Sequence, residues 1–70
     1  MMPLSMINMG ETRFIRKING KDDTRRFLEN LGFVEGSPVT VVSEMAGNMI
    51  VNVKETRVAI DRAMAMRIMV

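Results

Sequence analysis

Seventy residues make one domain, 1–70, and a chain this short buries only about 60% of its unfolded surface, so a second core is excluded. A 47% apolar, 26% charged composition excludes a disordered chain, and the absence of Cys and His removes disulfides, the preferred zinc ligands, the strongest nucleophile and the usual general base near neutral pH. The net charge of +2 allows an acidic partner, and no apolar run approaches the roughly 18 residues needed to span a bilayer; with no signal-peptide pattern, a cytoplasmic, non-enzymatic domain is the expectation.

In chain order, Met2-Pro3-Leu4-Ser5-Met6 is apolar, and Ser5 can cap a single helical turn that ends at Gly10 and plugs one end of the core. Thr12 to Ile18 alternates, with Thr12, Phe14, Arg16 and Ile18 on one face and Arg13, Ile15 and Lys17 on the other, and predicts a first strand. Asn19-Gly20 is a turn, and Asp22 and Asp23 then sit where a helix N-terminus favours negative charge. The helix is expected over 22–31, with Thr24, Phe27, Leu28 and Leu31 facing inward and the i, i+4 pairs Asp22–Arg26 and Arg25–Glu29 on its exposed side. Gly32 follows the last periodic residue, so it suits the left-handed C′ position, from which Phe33 folds back onto Leu28. Gly36 gives a second permissive turn position, and Pro38 opens a strand where no N–H is required.

Beyond that corner, Val39, Val41, Ser43 and Met45 alternate with Thr40, Val42 and Glu44, a second strand. Ala46-Gly47-Asn48 connects it as a hairpin to an extended run ending at Val53, and Lys54-Glu55 turns the chain again. Thr56–Ile60 makes a fourth strand, Asp61 caps a brief helical turn through Ala65, and Ile68-Met69-Val70 closes the fold. The pattern is mainly β: a small barrel of about five strands, one α-helix between strands one and two, and short helical turns near both ends.

The stretch Leu31-Gly32-Phe33-Val34-Glu35-Gly36, followed by Val39-Thr40-Val41, resembles the FeoA family, whose pattern is Leu-Gly, an apolar residue, two positions, Gly, then V-x-V. Leu4 to Glu11 and the terminal Val58-Ala59-Ile60, Ala65, Ile68 and Val70 match as well, so the resemblance covers nearly the whole chain. It departs at Met9, where the family often has Pro, and at Met64, where Glu commonly precedes the Ala. The resemblance implies an SH3-like barrel and a cytoplasmic accessory role in ferrous iron uptake. It also implies a partner, the GTPase-containing cytoplasmic part of the FeoB transporter, which could recruit the domain to the inner face of the membrane.

The residues themselves offer little chemistry. Asp22 and Asp23 point about 100° apart on a helix and cannot flank one bond, so they serve the helix dipole. Gly20-Lys21 lacks the remainder of a phosphate loop. Nine methionines suit gap-filling and adaptable surfaces better than a copper(I) site, although Met64, Met66 and Met69 lie close in sequence. No cofactor or metal ligand set is expected. Six of the ten basic residues fall between Arg13 and Arg26, a solvated face or a patch for an acidic surface. Nucleic acid is the alternative partner, weakened by the expectation that Phe14, Phe27 and Phe33 all pack inside and leave no stacking platform. A metal-repressor-like module is a further alternative, but it needs a helix-turn-helix neighbour that this sequence lacks. The expected partner contact combines Met45 and Met49, partly exposed at the hairpin tip, with Arg25 and Arg26 on the outer helix face; the alternative is that both methionines cap the barrel mouth as core, and Gly32 and Gly36 are structural.

Overall fold

The computed structural model describes residues 1–70 as a 3-10 turn (Leu4–Met6), β1 (Thr12–Phe14), β2 (Lys17–Ile18), α1 (Asp22–Asn30), β3 (Pro38–Met45), β4 (Asn48–Val53), β5 (Thr56–Asp61), α2 (Arg62–Ala65) and β6 (Ile68–Met69). Six strands form two antiparallel sheets, one in the order β1-β3-β4-β5 and the other pairing β2 with β6. The expected small barrel is thus not closed by one continuous ladder; two small sheets wrap a common core. Beside β6 the N-terminal segment adds a further rung, with Met2 and Val70 exchanging backbone hydrogen bonds of 3.0 and 2.8 Å.

The corner after α1 forms by local chemistry. Gly32 takes φ +108°, its N–H donates to the Glu29 carbonyl and that of Phe33 to the Leu28 carbonyl, both at 3.0 Å. These are the two bonds of a Schellman stop, and the Phe33 and Leu28 side chains meet in the core with no exposed surface. Gly36, at φ +86°, is the third residue of a turn closed by Ser37 N–H donating to the Val34 carbonyl. The same corner grips the first strand: Gly36 N–H donates to the Ile15 carbonyl and Ile15 N–H to that of Ser37. From there the chain crosses to the other sheet, where Arg16 N–H donates to the Met69 carbonyl.

That transfer corrects the expected first strand. It is two pieces, broken at Ile15-Arg16, and the rotation buries Ile15 and Ile18 while leaving Phe14 outside. Ser5 makes no cap; Pro3 precedes the 3-10 turn, and Leu4 is the buried plug. Helix α1 ends at Asn30 and buries only Leu28 completely, with Phe27 exposed. Neither i, i+4 pair on α1 closes. The one ion pair is Arg13–Glu11 at 3.1 Å, between exposed side chains, where water and rotamer freedom offset most of the attraction.

A β-bulge between Val41 and Ser43 shifts the register of β3. Val39 and Val41 face the core opposite Val53 and Val51, but past the bulge Glu44 pairs with Met49 and Met45 with Asn48. The extra residue turns Met45 to the outer face. Two-residue turns then join the strands. Ala46 (φ 51°) and Gly47 (φ 84°) link β3 to β4, and Lys54 (φ 52°) with Glu55 (φ 61°) links β4 to β5. Positive φ at both central positions is the type I′ geometry that matches strand twist.

Candidate docking surfaces

The expected contact residues do not form one patch. Met45 is exposed at the hairpin tip, with 68% of its surface free. Met49 is corrected: it is 4% exposed, because it is in phase with Val51 and Val53 on the inner face of β4. Arg25 and Arg26 are exposed on α1. The C-terminal end of α1, however, lies against the β4–β5 turn, where a Cβ at Gly32 would stand 3.2 Å from the Lys54 side chain. That turn is at the opposite end of the sheet from Met45, about 16 Å away over five strand residues. Gly36 has open space where a Cβ would go, so its backbone angle alone calls for glycine.

A second surface does combine apolar and cationic groups. Phe14, 63% exposed, shares a shallow groove of about 380 Å³ with Met1, Arg13, Arg16 and the end of the chain at Val70. Phe14 is the last residue of β1, opposite Pro38 of β3, and cannot turn inward because the next residue, Ile15, occupies the core side. Arg16 makes no side-chain hydrogen bond, and Arg13 donates to Glu11 Oε2. The Arg13 side chain, followed by the Asn8 N–H at 3.2 Å, holds the Glu11 carboxyl below its ordinary value of 4.5. The expectation that all three aromatics pack is thus corrected: Phe33 does, whereas Phe14 and Phe27 are 63% and 53% exposed. The residue missed from the sequence is Phe14. Its neighbours Arg13 and Arg16 were visible as a basic run, but the broken strand that turns the ring outward was not.

No three His, Cys, Asp or Glu side chains come together. No helix is long and apolar enough to cross a membrane.

The FeoA domain family profile matches residues 2–70. The chain belongs to the FeoA family. A Methanocaldococcus jannaschii protein provisionally named Fe(2+) transport protein A is 33% identical over 70 residues, covering 100% of this chain and 85% of that protein. The Stenotrophomonas maltophilia FeoA, crystallised with zinc and described as an SH3 domain protein proposed to act as a ferrous iron transport activating factor, superposes with a TM-score of 0.85. It is 27% identical and covers 99% of this chain and 88% of its own. The fold expected from the FeoA pattern, SH3-like and mainly β, is therefore the fold found. A manganese-dependent transcriptional repressor shares it at 22% identity and TM-score 0.84, covering 94% of this chain and 38% of the repressor, a likeness of fold alone.

Proposed function

We propose that this FeoA-family chain is a non-enzymatic accessory protein of ferrous iron uptake that docks on the cytoplasmic GTPase-containing part of a FeoB-like transporter and modulates transport. The observation that carries the reading is the groove around Phe14. A large aromatic ring held out of the core between Arg13 and Arg16 gives an apolar anchor with cationic flanks, the composition of a protein-contact centre facing an acidic surface. Met45, at the far end of the sheet, together with Arg25 and Arg26, remains a separate and weaker candidate contact.

Co-purification with the cytoplasmic part of a FeoB-like transporter, with and without GTP, tests the reading. Binding is expected to be lost in Phe14→Ser and Arg16→Glu with the melting temperature unchanged, and retained in Met45→Ser. Retention in the first two variants overturns the groove; absence of binding by the unmodified chain overturns the role. The exposed ring between arginines also has the ingredients of a single-stranded nucleic-acid contact. A labelled oligonucleotide titrated at two salt concentrations separates the two, since phosphate contacts weaken steeply with salt.

A further inference from the structure

Strand β5 is a free edge. It is the last strand of its sheet, and no backbone group of Arg57 or Ala59 bonds to anything outside it. The two-residue turn before it makes Val53 and Thr56 a hydrogen-bonded pair, so Val58 and Ile60 carry the alternate bonds to β4. Arg57, Ala59 and Asp61 therefore aim their backbone groups away from the sheet. All three have exposed side chains on one face, while Val58, on the other face, is only half-buried.

The sequence of this edge is its own complement. In Arg57-Val58-Ala59-Ile60-Asp61 the opposite charges stand equally far from Ala59. Charged side chains ordinarily blunt an edge against pairing, but an antiparallel partner centred on Ala59 sets Arg57 opposite Asp61 and Val58 opposite Ile60, twice over. A small residue stands at the axis. Asp61 has one carboxylate oxygen committed to the Met64 N–H at 2.8 Å, which leaves the other to accept from arginine. Arg57 makes only a long 3.5 Å bond to Asn52 Oδ1.

We propose that two copies of this chain associate through β5, antiparallel about a two-fold axis at Ala59, joining the two four-stranded sheets into one of eight strands. The Ala59 pair exchanges two backbone hydrogen bonds at the axis, each Arg57 pairs with Asp61 of the second copy, and Val58 is covered by Ile60 across the strand. Such an interface is small, so association is weak and reversible.

Sedimentation equilibrium on the full chain, from about 10 μM to about 1 mM, is expected to show a monomer–dimer equilibrium that weakens as salt is raised. Arg57→Glu, which faces Asp61 with a like charge, is expected to raise Kd at least about tenfold, and Asp61→Asn, which keeps the helix cap, to raise it as well. Ala59→Pro, at a position whose N–H bonds nothing in the monomer, is expected to abolish the dimer with circular dichroism unchanged. If that variant fails to fold, the two charge variants still decide. Hydrogen exchange gives the local readout: the Ala59 amide is expected to gain protection with protein concentration while Val58 is protected throughout. A chain monomeric at 1 mM, a dimer indifferent to Arg57→Glu, or an Ala59 amide whose exchange ignores concentration overturns the proposal.

Discussion

The two methionines of the β3–β4 hairpin have opposite environments. Met49 packs with the core cluster, whereas Met45 stands in solvent on the outer face. Met49→Ser is expected to cost about 2–5 kcal/mol, the range for emptying a buried Met site, and Met45→Ser to stay within about 0.5 kcal/mol. Chemical denaturation of the two single variants checks the difference, and equal costs would contradict the bulge that separates them. Glu11 has a displaced titration. Its carboxyl is held low in the folded state by Arg13 and by the Asn8 N–H, so the ionised form favours folding. That contribution is complete above about pH 4.5 and is lost as pH falls through the lower folded value. Glu11→Gln is expected to flatten the acid limb of a melting-temperature profile and leave the neutral region little changed.

Among the elements, the corner between α1 and β3 was legible from sequence because its chemistry is local. Gly32, Glu29, Leu28 and Phe33 lie within six positions, and the bonds among them do not depend on the rest of the fold. Gly32→Val meets both a φ of +108° and the Lys54 side chain, so a loss of more than about 1 kcal/mol is expected, read as a melting temperature lowered by at least about 4 °C. The first strand was not legible, because the break at Ile15-Arg16 is imposed by partners distant in sequence, Ser37, Gly36 and Met69. Alternation alone predicts one continuous strand with Phe14 and Ile18 on the same face and Ile15 on the other. Met49 differs: its phase with Val51 and Val53 is visible in the sequence, and the core reaches it although it stands beside the hairpin turn. The Lys54-Glu55 turn holds two non-glycine residues at positive φ, which costs each about 1 kcal/mol or more. Glu55→Gly is expected to raise the melting temperature by several degrees, because the turn geometry then suits its residue.

At the scale of the molecule, the candidate site was only half readable. Sequence showed that basic residues cluster between Arg13 and Arg26 and that methionines flank the hairpin; it did not show that α1 ends at one end of the sheet and the Met45 tip lies at the other. That separation is a property of the topology, set by the β1-β3-β4-β5 order. It divides the surface into distinct regions: the Phe14 groove, the Met45 tip and the open β5 edge. The segment before the 3-10 turn runs antiparallel to β6. Met2 and Val70 bond to each other through both backbone groups, so a short link between these two residues would close residues 2–70 into a ring. A circular permutant that joins Val70 to Met2 through a few glycines and is cut between Ala46 and Gly47 is expected to recover the same circular dichroism spectrum, since the cut falls in an exposed turn and the link spans neighbouring strands. Where the polypeptide is severed would then be a free choice, and the order in which its strands are made would be separable from the way they pack.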